Sequence, residues 1–411
     1  MPPKITADMA PRVPSEVSVI IGKVEHLASR TTALQAKVQQ AGRQEALALA
    51  GLGVALLESL TARARAEETI RSTIFARYLS ASRSRVRPDR RSRLRRLAER
   101  VLNRFGAIGR GLIILRSGLW HTAIPGWKGQ VASFLAMVSH ARRGPDPATQ
   151  PPVLIDQVWY LKTYPGVTRA GLSPLVHYLL AGGYQGACPH PLFDASDYGE
   201  KNAADLAATG LSPLVHFVRV GAARGLNPHP LFDLAWYVAQ VPELIETGEN
   251  PLAHFLRVGA GQGLSPHWLF KPAYYSSQLA SRDRPANPLI HYLTEGSARG
   301  LRPHPLFDPA WYREQYPQSA GSEPLSHYLR HGEDERLSPG PWFDSERYLQ
   351  NRRSGERFAA DPLSDYLLGG AWTGAQAHNG LHVSRYYAAH PELAAQAITP
   401  LEHAAAQANP A

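Results

Sequence analysis

The sequence predicts an all-α protein in three parts: a long N-terminal helix or coiled coil, a basic amphipathic helix, and tandem helical repeats. Three observations predict it. First, a Pro-Leu-x-His-Tyr/Phe signature begins at Pro174, Pro213, Pro251, Pro288 and Pro324 and returns altered at Pro362 and Pro400. The spacings are 39, 38, 37, 36, 38 and 38 residues, and a fixed period of that size marks a repeat architecture. Second, a Pro-His-Pro-Leu-Phe-Asp stretch lies between the copies, at 189–194, 228–233 and 303–308, with variants at 266–271 and 339–344. Third, Val17, Ile20, Val24, Leu27, Thr31, Leu34, Val38 and Ala41 follow alternating steps of three and four, the seam of a coiled coil.

Taken in order, residues 1–14 carry several prolines and no periodicity and read as a tail. No proline occurs from Ser15 to Arg87, so 15–80 is expected to be one long helix that self-associates through its seam. The alternative is a helix packed back on its own chain. The phase slips after Ala41 and resumes at Leu49, Leu52 and Leu56, and Gly42, Gly51 and Gly53 weaken the middle.

The net charge of +10 sits in one place. Residues 83–116 hold twelve of the 44 basic residues and two of the 34 acidic ones, leaving 32 of each elsewhere. Arg90, Arg91, Arg93, Arg95, Arg96, Arg100 and Arg104 surround an apolar face of Leu94, Leu97, Val101, Leu102, Phe105 and Ile108. Leu112 to Leu115, Leu119, Trp120 and Trp127 follow. A basic amphipathic helix leading into apolar residues and tryptophans (81–140) has the composition of a segment lying in a membrane interface. Each basic residue near an anionic leaflet contributes about 1 kcal/mol. The alternative is a solvated charged face whose apolar side joins the core. Nucleic acid is disfavoured, because no aromatics interleave the arginines and no known module surrounds them. The Pro-rich stretch 141–152 reads as a linker.

From 153 to 411 about seven units are expected, the last two degenerate. Ser173-Pro174 and Asn287-Pro288 place an N-cap before a proline at the first helical position, where its missing N–H costs nothing. Gly182 or Gly221 is expected to end that helix in the left-handed conformation. The prolines flanking His force extended backbone, Leu and Phe anchor it, and Asp194, Asp233 and Asp308 cap the next helix. Each unit is thus two short helices joined by a proline-clamped loop. Both an open superhelix and a compact packing satisfy the pattern.

The recurrent histidines were the tempting chemistry. His177, His216, His254, His291 and His327 recur on one helix, and His190, His229, His267 and His304 in the clamp. A metal site per unit is disfavoured: there is no cysteine partner, Gly340 and Asp365 replace His, and Lys271 replaces Asp. The His-x3-Asp spacing of His190 and Asp194 also occurs in acyltransferases, but here it recurs and its Asp sits at a cap. The better reading is structural, with His bonded to loop carbonyls, and His190, Asp194, His229, Asp233, His304 and Asp308 forming the joints. Trp159, Trp236, Trp311 and Trp342 read as core rather than sugar-stacking platforms. Nucleotide-binding, hydrolase and glycosyl-transfer motifs are missing from the sequence, so no catalytic residue, metal or cofactor is expected. The one cysteine, Cys188, excludes a disulfide framework within the chain and fits a reducing compartment. The N-terminus lacks the apolar stretch of a signal peptide, and the apolar run 46–57 is too short to span a bilayer.

The units PLVHYLLAGGYQGACPHPLFD, PLIHYLTEGSARGLRPHPLFDPAWY and PLSHYLRHGEDERLSPGPWFD resemble a bacterial tandem repeat. That repeat accompanies glycosyltransferases and other enzymes of surface-polysaccharide assembly. The resemblance covers about 153–405 and carries over no catalytic residue, since the transferase domain expected beside it is missing. It implies a non-catalytic scaffold of polysaccharide or glycoconjugate biosynthesis, with a glycosyltransferase or other biosynthetic enzyme as partner. The heptad seam adds self-association, and the basic segment and N-terminus add a cytoplasmic location peripheral to the inner membrane. The alternatives are a glycan-binding or glycosyltransferase-family subunit without its own catalytic domain, and a cell-envelope or cytoskeletal adaptor.

Overall fold

The computed structural model describes residues 15–41, 46–85, 106–119, 127–143, 153–169, 172–352, 357–390, 392–396 and 398–408. It is all-helical, with no strand among these residues. The chain divides into two bodies, residues 1–73 with 347–407, and residues 74–346 with 408–411.

In the first body, helix α1 (Ser15–Ala41) lies against the N-terminal part of helix α2 (Ala46–Arg85). The expected single helix over 15–80 is corrected here. One continuous helix would hold Thr31 and Ser59 about 40 Å apart. Their hydroxyls instead share a hydrogen bond of 2.7 Å, and Ser59 Oγ also reaches the Leu27 carbonyl at 3.4 Å. The chain therefore turns back on itself between them. Leu56, Ser59, Leu60 and Ala64 are buried at helical spacing on α2. The short helix Glu392–Ala395, whose Leu393 is buried, also packs on α1. Apolar faces at this spacing are satisfied equally by a second copy or by the same chain, and here the same chain supplies partners.

The second body begins with the C-terminal part of α2, and its next described elements are a hairpin of helices α3 (Gly106–Ser117) and α4 (Trp127–Arg143), packed on each other and on helix Pro174–Leu180. Ile113, Ile114 and Ser117 face inward from α3, and Ser133, Met137 and Ala141 from α4. Arg219 reaches the Arg116 carbonyl near the end of α3 at 3.5 Å.

From residue 156 onward the same local construction recurs. A cap residue opens a short helix, and a tyrosine follows four positions later. Beyond a further short helical turn, a helix starts at a proline and carries a histidine. Tyrosine hydroxyl and histidine Nδ1 are hydrogen bonded in every copy in the second body. The pairs are Tyr160–His177 at 2.7 Å, Tyr198–His216 at 2.8 Å, Tyr237–His254 at 2.7 Å, Tyr275–His291 at 2.6 Å and Tyr312–His327 at 2.9 Å. The five tyrosines are fully buried. A buried phenol without a partner would cost about 1–3 kcal/mol, so the histidine is what permits the ring to be inside.

The first body repeats the bond with a change of chemistry. Tyr348 donates to the Asp365 carboxylate at 2.7 Å, and Arg352 and the Ala359 amide hold that carboxylate at 3.1 Å each. Asp365 is fully buried, and these donors offset its desolvation. Tyr386 and His403 pair at 2.9 Å. Asp365, which departs from the sequence signature, keeps its function as a tyrosine partner.

The glycine five residues after the histidine has a different role from the one expected. Gly221 has right-handed backbone, φ −62°, inside the widened turn Phe217–Gly221. It is glycine because a Cβ there would strike the Tyr198 hydroxyl, as one at Gly259 would strike Tyr237. The left-handed residue comes four positions later, at Gly186, Gly225, Gly263, Gly300 and Gly374. In the copy between Tyr312 and Asp344 that slot holds Arg336, at φ 51°, the one non-glycine with positive φ among the described residues.

Two stability changes follow. A side-chain residue in the left-handed region costs about 1–2 kcal/mol, and a glycine there costs about 0.5–1 kcal/mol in chain entropy. Arg336 pairs with Glu346 only at an exposed site, which contributes little. Arg336→Gly should therefore raise unfolding free energy by about 0.5–1 kcal/mol, read by urea titration. Gly259→Ala should lower it by about 1–3 kcal/mol through overpacking. Adding Tyr237→Phe, which removes the obstructing oxygen, should recover part of that loss.

Candidate functional site

The joint between consecutive copies is the most regular construction in the second body. The cap residue's amide donates to the carbonyl of the proline before the next clamp. The bonds are Asp156 to Pro189 at 3.0 Å, Asp194 to Pro228 at 3.0 Å, Asp233 to Pro266 at 2.9 Å, Lys271 to Pro303 at 2.9 Å and Asp308 to Pro339 at 3.0 Å. A proline has no amide to compete, and its fixed φ holds the carbonyl in extended backbone.

Each clamp is closed from within. The phenylalanine amide donates to the histidine carbonyl three residues back, at 2.9 Å for Phe193 and Phe232 and 3.0 Å for Phe307. The leucine amide donates to the histidine Nδ1, at 3.0 Å for His190 and His229 and 3.2 Å for His267 and His304. Beside the expected bonds to loop carbonyls, the structure shows two other partnerships at Nδ1. Clamp histidines accept an amide, and helix histidines pair with a phenol. The aspartates cap the next helix: Asp194 accepts from the Ser196 and Asp197 amides at 3.1 and 3.0 Å, Asp233 from Trp236 at 2.7 Å, and Asp308 from Ala310 and Trp311 at 3.1 and 3.0 Å. Lys271, in the same place, makes no side-chain cap.

His190 and Asp194 therefore have separate tasks rather than forming a ligand pair. No group of three or more His, Cys, Asp or Glu among the described residues is placed to hold a metal. Trp236 turns its indole N–H to the Ser265 carbonyl at 3.1 Å and packs edge-on against Trp268 at 5.5 Å. Trp159 and Trp311 pack edge-on against Tyr164 and Tyr316. Trp159, Trp236, Trp311 and Trp342 are all half-buried.

Exposed apolar side chains concentrate on one hairpin. Among the described residues, the large hydrophobics most open to water are Leu112, Leu115, Val131, Leu135, Val158 and Tyr184. The first four lie on the α3–α4 hairpin, with Leu135 at 61% exposure. Arg116, at the end of α3, is also exposed. Arg90, Arg91, Arg93, Arg95, Arg96, Arg100, Arg104 and Trp120 lie outside the described residues. No single helix among the described residues is long and apolar enough to cross a membrane. Comparison of the chain with protein-family models, with curated proteins and with solved structures finds no match.

Two residues that sequence reasoning passed over stand out. Arg330 binds both Asp194 and Asp197, the latter at 3.1 Å, although 136 residues separate Arg330 from Asp194. Asp197 occupies the third helical position, where other copies carry Trp159, Trp236, Tyr274 and Trp311. That mismatch with its siblings was the available signal.

The clamp predicts a pH response. Burial pushes His190 and His229 down to about 4 and His267 to about 3, from 6.5. The geometry gives a second reason: a proton on Nδ1 would face the leucine N–H that it now accepts. The folded state resists protonation while the unfolded chain takes it up, so stability falls as pH drops from about 6.5 toward 4. Above 6.5 these groups are neutral in both states and contribute no slope. Each adds at most about 1.4 kcal/mol per pH unit. Urea titrations between pH 7 and pH 4.5 should show this loss, and His229→Gln should make the slope shallower.

Proposed function

We propose that the chain is a non-catalytic scaffold that rests on an anionic membrane surface and presents its helical units to enzymes of surface-polysaccharide or glycoconjugate assembly. The observation that carries the membrane part is that each helix of one hairpin turns an apolar pair outward, Leu112 and Leu115 on α3 and Val131 and Leu135 on α4. Apolar side chains gathered on the outside of a folded chain mark an interaction site. The arginine-rich stretch directly before the hairpin says which kind of surface fits. Twelve arginines in 83–116 favour anionic lipid, and the apolar side chains supply the insertion that charge alone does not. The glycan part rests on the resemblance of the repeats in the sequence. A scaffold reading also agrees with the recurrent His, Asp and Tyr side chains, which hold the fold together with bonds to one another and to backbone.

Flotation of the full chain with vesicles tests this. The chain should float with phosphatidylglycerol-containing vesicles at low salt and remain below with phosphatidylcholine alone. Removing one leucine from the interface forfeits about 1.5–3 kcal/mol. Leu135→Glu and Leu115→Glu should each weaken binding by about tenfold or more. Failure to float on anionic vesicles at low salt, or equal flotation of the double variant, would refute the membrane reading.

A further inference from the structure

The joints run along the chain and fasten each copy to the next. One contact does not. Arg330, on helix Pro324–His331, donates through Nη2 to Asp194 and through Nε to Asp197 at 3.1 Å. Asp194 is the cap of helix Ala195–Lys201, and Asp197 lies in its first turn. Three full copies of the construction separate the two helices in sequence. The path between them therefore curls until the later helix meets the earlier one.

Asp197 is an exception within its own series, and Arg330, in a position that other copies also fill with arginine, is its partner. The third helical position is aromatic in Trp159, Trp236, Tyr274 and Trp311, and acidic in Asp197. Three residues after the helix histidine stand Leu180, Arg219, Arg257, Thr294 and Arg330. Arg219 reaches the Arg116 carbonyl on the α3–α4 hairpin, and Arg257 the Glu249 carboxylate of its own copy at 2.8 Å. Arg330 reaches an acidic pair, Asp194 and Asp197, on a distant copy. An interaction that the repeat itself requires would recur with the repeat. This one does not, so it is an addition to the repeat.

The pair is also placed to be reversible. The Arg330 side chain keeps 24% and Asp194 19% of their surface open, while Asp197 keeps 7%. Asp197 has a second partner, Lys201 at 2.9 Å, so its charge stays compensated when Arg330 leaves. Asp194 keeps its two cap amides for the same reason. Neither carboxylate is stranded by release, which distinguishes this contact from a buried ion pair whose rupture leaves an unpaired charge.

We propose that Arg330 is a conformational latch that holds the curl of the second body closed, joining helix Pro324–His331 to helix Ala195–Lys201, and that its release lets the copies between them swing on their proline joints. The joints are the natural pivots, since each links neighbouring copies through one cap amide and one proline carbonyl. Open and closed forms then differ in which faces of the intervening copies a partner reaches.

Hydrogen exchange on the full chain by mass spectrometry is the test. In Arg330→Gln, amides of 195–201 and of 324–331 should both exchange at least about threefold faster. The joint segments 229–232 and 304–307 should be unchanged. A merely local role for Arg330 would change only 324–331, and that result would overturn the proposal. Asp197→Asn provides the reciprocal measurement, with faster exchange expected in 324–331, and serves also if Arg330→Gln does not fold. Unchanged exchange of 324–331 in Asp197→Asn counts against a direct latch.

Discussion

The bond from a cap residue's amide to the carbonyl of a proline in the next clamp is the constraint on which the second body rests. It unites two requirements that a short helix otherwise leaves unmet. The cap amide lies outside the helical ladder and needs an acceptor, and a proline-flanked loop has a carbonyl with no neighbouring amide to satisfy it. Each supplies the other. Because donor and acceptor belong to successive copies, the same bond that completes one helix sets the position of the next. The bond persists where Lys271 stands in place of aspartate, since it uses only backbone. Side-chain capping is therefore the variable part of the joint and the backbone bond the fixed part.

That joint obliges the histidines to be neutral. A clamp imidazole accepts an amide at Nδ1, so its proton resides on Nε2, and burial reinforces the neutral form. The helix histidines serve the tyrosines, whose hydroxyls are pushed above their ordinary pKa by burial. Substitution by Asp365 shows what the position asks for: a hydrogen-bond partner for a buried phenol. A carboxylate meets that need once Arg352 and nearby amides attend to its charge. Recurrent histidine in this chain is a matter of packing polar groups inside a small helical unit, and its regularity reflects the regularity of the unit.

Much of this was legible in the sequence because it is local. The period, the Ser-Pro and Asp-Pro caps at Ser173 and Asp308, and the anchoring Leu306 and Phe307 are fixed by neighbours within a few residues. What was not legible depends on the third dimension. The heptad at Val17 to Ala41 specifies an apolar face and is silent on whether the chain or a copy covers it. The partner of each histidine lies fifteen to eighteen residues upstream, on a helix whose orientation the pattern does not give. Gly221 looked like a helix terminator because glycine has two uses, left-handed backbone and close approach, and a single letter does not distinguish them. Asp197 was hidden for the opposite reason. It breaks the pattern, and a reading built on recurrence discounts departures, while Arg330 shares its residue type with Arg219 and Arg257 and differs only in its partner.

The departures are nonetheless where specific behaviour has room to reside. A repeated bond stabilises every copy alike and so distinguishes no part of the body from another. Arg336 in a glycine slot, Asp197 in an aromatic slot and four apolar side chains turned outward from a hairpin each break a rule obeyed elsewhere in the same chain. Natural sequences violate their own local consistency chiefly where something other than folding is being served. The hairpin and the latch are independent in this respect: one presents apolar surface to water ahead of the repeated copies, and the other ties two distant copies together. A scaffold needs both kinds of feature, a place at which it is held and a means of setting which faces it offers. The regular joints supply neither, but they give each irregular residue a fixed position from which to act.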